Sequence, residues 1–248
     1  MRDIPPLVQF TDEELLLLGA DHPVVDLPYL GPMDPAQREL AAQVAYRSLC
    51  SHGAIAVDGG TGLELPESYV TMLRLRADAT SVLVVSRATV DAGVMRYHHL
   101  GADTVVLEDV SDAGAHVFRM IARAEVDRAL QEFCAVPDAA DGAGEPVVVT
   151  QQSFRAGESA ARLWGRAVAQ FDATVWRADG AAEVPVLGYL AGTAGSWCVR
   201  PSATAEQGAP MVHLAPIRAD SIADSILAAL VRLELRGPDR GEWHLMRA

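Results

Sequence analysis

The chain has 248 residues, half of them hydrophobic, and a formal net charge of −13; this fills a core, excludes wholesale disorder, and argues against a protein that tracks nucleic-acid phosphates. All 20 basic residues are arginine, which removes lysine Schiff bases, the pyridoxal aldimine, the P-loop lysine and the kinase strand lysine. At roughly 100–200 residues per domain the length suits one large domain or two closely packed halves.

The first predicted element is a helix opened by Thr11-Asp12-Glu13-Glu14, where Thr11 can cap and Glu14 can close a capping box; it ends at Gly19. After a proline-rich stretch, Asp34-Pro35 predicts an N-cap and first position for a second helix running to about Ser51, with Leu40, Val44, Ala45 and Leu49 on one face. A short strand is expected over Ala54 to Val57, then the turn Gly59-Gly60-Thr61-Gly62 and a third helix from Pro66. Ser81 to Arg87, Val94 to Leu100, Thr104 to Val110 and Ala115 to Ile121 read as a four-stranded antiparallel meander, because their connections are too short for parallel crossovers. Val126, Ala129, Leu130, Phe133 and Cys134 give the following helix, about Ala124 to Cys134, a single apolar stripe. Residues 137–146 have the composition of a linker.

The same order is expected again beyond it. A helix is predicted over Gly157 to Phe171, with Ala160, Leu163, Trp164, Ala167, Val168 and Phe171 on one face. Four strands follow at Ala173 to Ala178, Glu183 to Leu190, Gly195 to Arg200 and Pro210 to Leu214, and a last helix carries Ile222, Ile226, Ala229, Leu230 and Leu233. Arg123-Ala124-Glu125 and Arg218-Ala219-Asp220 open the two closing helices alike. The expectation is an α+β protein with a pseudo-twofold, duplicated antiparallel sheet and flanking helices. Residues 1–248 are expected to form a single pseudo-symmetric domain, with half-repeats at about 34–136 and 147–236 joined by the linker 137–146.

Signals for chemistry are sparse. The glycines at 59–62 lack dinucleotide-loop spacing, no G-x-S-x-G occurs, and Gly192-Thr193-Ala194-Gly195-Ser196 precedes a strand rather than a helix. Cys50, Cys134 and Cys198 are scattered and odd in number, which reads as core rather than disulfide or zinc. His98 and His99 are strand neighbours and point to opposite faces. A metal or small-molecule site assembled from His98 or His99, His116 and Glu108 is the one enzymatic alternative. Trp243, after Gly237-Pro238, either staples the tail or meets a partner. No apolar run reaches bilayer length, and the start lacks a secretory pattern, so a cytoplasmic protein is expected.

The capped Thr11-Asp12-Glu13-Glu14-Leu15 start, the Pro28 region, the helix closing at Ser51-His52-Gly53, the Leu63-Glu64-Leu65-Pro66 helix start and the repeated sheet-plus-helix halves together resemble the EspG family, cytosolic chaperones of actinobacterial type VII (ESX) secretion systems. The resemblance implies no catalysis, no metal and no cofactor. It implies instead a helical PE/PPE-like secretion substrate as partner, kept soluble and delivered for export. Partner contact would fall on the loop Arg87 to Gly93, with Arg87 and Asp91, and on the helix Asp220 to Leu233, with Ile222, Ile226 and Leu230.

Overall fold

A computed structural model describes residues 8–25, 27–30, 33–51, 64–158, 160–178, 186–202 and 210–234. The strand expected at 54–57, the glycines at 59–62 and Trp243 lie outside them. The chain divides into two compact units, residues 1–82 with 94–123 and residues 83–93 with 124–248. The class is α+β with antiparallel strands, as the sequence predicts.

In the first unit the β-branched runs of β3 (Gly93–Leu100), β4 (Thr104–Ser111) and β5 (Ala115–Ala122) pair antiparallel in chain order, the expected meander. Val8–Thr11, where the sequence predicts no element, adds a strand, β1, antiparallel to β5 with Val8 opposite Phe118 and Thr11 opposite Ala115. Thr11 ends that strand and caps helix α1 (Asp12–Leu17): its Oγ1 accepts from Glu14 N at 3.3 Å, and Glu14 Oε2 accepts from Thr11 N at 2.9 Å. Helices α2 (Pro35–Ser51) and α3 (Glu67–Ala77) follow. Phe10, Leu15, Leu49, Met72, Val106 and Phe118 form the shared core. Each fully buried side chain of this kind contributes about 1.5–3 kcal/mol. Gly114, at φ +65°, turns β4 into β5; a Cβ there would lie 2.2 Å from the Tyr29 ring, so glycine is required by conformation and by space.

The second unit takes up most of β2 (Ser81–Ala88) and orders its strands β2-β7-β8-β9-β10-β6. A one-turn helix at Arg123–Glu125 leads to α4 (Val126–Cys134), whose apolar stripe is buried as expected. Then come β6 (Val147–Thr150), α5 (Gln151–Arg155), α6 (Ala160–Leu163), β7 (Ala167–Arg177), β8 (Leu187–Gly192), β9 (Ser196–Ser202) and β10 (Met211–Ile217). A second one-turn helix, Ala219–Ser221, leads to α7 (Ile222–Glu234), which packs along α4.

The helix expected over Gly157 to Phe171 is corrected. Among the described residues of that span only Ala160–Leu163 is helical, and β7 begins at Ala167. Gly157 and Gly165 sit at φ +70° and +64°, which stops the helix on both sides. Beyond them Ala169, Phe171, Ala173 and Val175 are buried with period two, the strand signature. The segment 137–146 is bonded to its own unit: Ala140 N donates to Gly192 O, Gly142 N to Ile217 O, and Ser196 Oγ to Ala140 O at 2.7 Å. No described helix is long and apolar enough to cross a membrane.

Candidate functional site

Among the described residues the strongest concentration of ionisable side chains lies in the first unit, on the sheet face covered by α1 and α3. Strand alternation places it. His99 on β3 stands opposite Val106, Glu108 on β4 opposite both Tyr97 and Phe118, and His116 on β5 opposite Phe10, so all three histidine and glutamate side chains share one face. His98 points to the other face, as expected for its neighbour position. The structure therefore brings His99, His116 and Glu108 together and leaves His98 out.

Two residues that sequence reasoning missed complete the cluster. Arg76 from α3 donates Nε to Glu108 Oε2 at 2.8 Å and Nη2 to Glu108 Oε1 at 3.1 Å, with Nη1 on the Ala20 carbonyl. Asp12, first residue of α1, lies 2.8 Å from His116 Nε2 through Oδ1 and accepts from Tyr29 N through Oδ2 at 2.6 Å. His116 Nδ1 is 2.7 Å from Glu108 Oε1 and His99 Nε2 is 2.7 Å from Glu108 Oε2. The His116 ring thus bridges two carboxylates, and both contacts are hydrogen bonds when each ring nitrogen carries a proton. A signal for Arg76 existed: Leu65, Tyr69, Met72 and Arg76 form one helical stripe, and the first three are apolar.

Burial alone would raise the Glu108 carboxyl. The hydrogen bonds from His116 and His99 and the Arg76 guanidinium outweigh it and hold Glu108 well below the usual carboxylate range. Burial lowers His99 below its ordinary value despite the opposing pull of Glu108. The adjacent His22, its ring edge-on to His99 at 5.0 Å, is lowered to about 4, chiefly by burial and then by His99 and Arg76.

The charged groups of this arrangement are engaged with one another and closed to solvent. Both Glu108 oxygens already receive a guanidinium N–H and an imidazole, and the Arg76, Glu108, His99, His116 and Asp12 side chains are essentially inaccessible. A cation placed among these ligands would have to displace the guanidinium charge from its carboxylate. Among the described residues no group of three or more His, Cys, Asp or Glu is disposed to hold a metal ion.

The residues expected to meet a partner fall in the second unit. Ile222, Ile226 and Leu230 are buried, so their side chains seat α7 on its own unit. The accessible stripe of α7 is Asp224, Ala228 and Val231. Arg87 donates Nη1 to Phe133 O at 3.0 Å and Nη2 to Ala135 O at 3.4 Å, closing the C-terminal end of α4, and lies 5.9 Å from the Phe171 ring centroid. Asp91 is exposed in the turn after β2, beside Val90, which at 82% is the most exposed large apolar residue described. The turn is tied by Thr89 N to Ala92 O at 2.9 Å and Ala92 N to Thr89 Oγ1 at 3.2 Å. An apolar side chain is thus held out on a short, hydrogen-bonded support.

No family model matches the chain, and no curated protein matches it in sequence. Among solved structures it is similar to the Mycobacterium tuberculosis type VII secretion system chaperone EspG5, in a structure of that protein in complex with a PE25-PPE41 dimer. The likeness covers 90% of this chain and 96% of the chaperone, with a TM-score of 0.57 and 9% sequence identity. It is a likeness of fold.

Proposed function

We propose that this protein is a non-catalytic, cytoplasmic chaperone or adaptor that binds a helical PE/PPE-like substrate of a type VII secretion system, keeps it soluble and delivers it for export. The observation that carries this reading is the end-to-end likeness of fold to a chaperone that holds a PE25-PPE41 dimer. The buried cluster supports it from the other side, since the densest set of ionisable groups serves as a lock within the first unit. Helical secretion substrates with apolar tips would otherwise expose a patch prone to aggregation. The contact surface is the turn carrying Val90 and Asp91 together with the accessible stripe of α7. Arg87 positions that turn by its bonds to α4, and Ile222, Ile226 and Leu230 position α7.

Co-expression with PE/PPE-like pairs from the same genome tests the reading. A stable soluble complex is expected, and Val90→Asp weakens it by about tenfold or more, the size of a lost apolar anchor. Failure of every such pair to co-purify with the folded protein overturns the reading.

A further inference from the structure

Strand β6 ends the strand order of the second unit, with β10 on one side and no strand among the described residues on the other. Its register is Thr150 opposite Met211, Val149 opposite Val212, Val148 opposite His213 and Val147 opposite Leu214. Gln151 N donates to Pro210 O at 2.8 Å, one step further along the same ladder. That bond fixes the phase. Gln151, Val149 and Val147 turn their backbone groups toward β10, while Val148 and Thr150 turn theirs outward. In the same phase Pro146 presents a carbonyl outward, and the N–H that proline lacks is missing only from the open side.

Exposed edges are ordinarily blunted by charge, by a bulge, by proline, by shortness or by a covering element; β6 is short and follows Pro146, which limits the pairing to a few bonds without blocking it. Val147–Thr150 carries no charge, and Val148 is 50% exposed. We infer that β6 pairs antiparallel with β6 of a second copy of this chain, about a twofold axis passing through the Val148 pair. The donors and acceptors match in this register. Val148 N–H meets the Val148 carbonyl of the copy, and Thr150 N–H meets the Pro146 carbonyl, each twice by symmetry. The Thr150 carbonyl opens helix α5, so it needs no donor, and it stands opposite the proline that has none to give. Any residue other than proline would bring an N–H there that meets a carbonyl already engaged by the helix and left with its second lone pair.

Charge along the paired strands does not oppose this occupant. In this register Val147 opposes Val149 and Gln151 opposes Glu145, so no like charges meet, although two chains of net charge −13 repel over most of their surfaces. The paired Val148 side chains cover one another, and the copy's Val147 and Val149 extend the face that packs on Leu214 and Val212. A strand this short buries far less than the roughly 1,600 Å² of a standard interface, so association is weak, with a dissociation constant on the order of 100 μM.

Sedimentation equilibrium of the full chain from about 10 to about 500 μM tests this range of association. Mass should rise toward that of a dimer. Val148→Pro removes an outward N–H and no bond to β10, and should weaken the dimer about tenfold or more. Val148→Lys, which leaves the backbone unchanged, should do the same by charge repulsion across the axis. A chain that stays monomeric throughout, or a dimer insensitive to Val148→Lys in a protein with unchanged melting temperature, overturns the inference.

Discussion

Counted from the threonine that ends each edge strand, the sheets of the two units place different chemistry at matching positions. Thr11 opposes Ala115 in the first unit and Thr150 opposes Met211 in the second, and each threonine caps the helix that follows. One residue inward, His116 corresponds to Val212. Across the next ladders Glu108 corresponds to Val199, Val106 to Trp197 and His99 to Leu190. The histidines and glutamate of one unit thus become valines and a leucine in the other, where Leu190, Trp197, Val212 and Leu214 form an apolar cluster with Val199 packed on it. Among the described residues three helices, α1 to α3, lie between β1 and β2, whereas α5 and α6 lie between β6 and β7. The ionic cluster reaches into the larger insertion at Asp12 on α1 and Arg76 on α3. An apolar face would accept those helices in many rotations; a bidentate guanidinium and a bridging imidazole accept one.

Breaking the lock at one point should have the largest effect. Arg76→Ala leaves Glu108 buried without its guanidinium and should destabilise the protein by about 3–5 kcal/mol. In the second unit Val199→Ala removes only methyl groups from a partly buried site and should cost about 1–2 kcal/mol. Urea unfolding of both variants measures the contrast, and equal losses would remove the energetic distinction between the two units.

Acid should separate the units next. His99 and His22 are held below their ordinary value of 6.5, His22 at about 4, so between those limits the unfolded chain binds more protons than the folded one. Stability is therefore full above pH 6.5 and falls as pH drops toward 4, by at most about 1.4 kcal/mol per pH unit for each histidine. Glu108, also held low, extends the loss to more acid pH. Hydrogen exchange across this range should show strands β3 to β5 losing protection before β8 to β10. A pH-independent profile in the first unit would contradict the electrostatic reading of the cluster.

How far the sequence anticipated this contrast depends on the range of each interaction. The Thr11–Glu14 capping box spans three residues and was legible in full, as were the meander strands, the α4 stripe and the opposite facing of His98 and His99. The edge strands β1 and β6 were not, because four residues that pair with a distant strand carry almost no local period. The start of β7 was misread since Ala167 and Phe171 satisfy helical and strand spacing alike, and only Gly165 at positive φ decides between them. His99, Glu108 and His116 could be named as a group from adjacent strands. The stripe on α3 marks Arg76 as facing inward, but neither its partner nor that of Asp12 could be named, for they lie 32 and 104 positions away and are chosen by how the helices land on the sheet.

The smallest expected change in stability is the most informative about what the cluster is for. Rebuilding it with the second unit's residues, as His99→Leu, Glu108→Val and His116→Val together with Arg76→Met and Asp12→Gln, removes the whole Arg76–Glu108–His99–His116–Asp12 network at once and leaves none of its members without its partner. Desolvating an ion pair offsets most of its attraction, so this variant should unfold within about 1 kcal/mol of the parent, despite containing substitutions that are severe alone. Its acid dependence between pH 6.5 and 4 should shrink to the His22 contribution. The consequence of the swap should appear instead in the seating of α1 and α3, read as faster amide exchange in both helices at unchanged global stability. If the rebuilt protein is both as stable and as well protected in those helices, apolar packing alone orients them and the ionic lock adds no specificity.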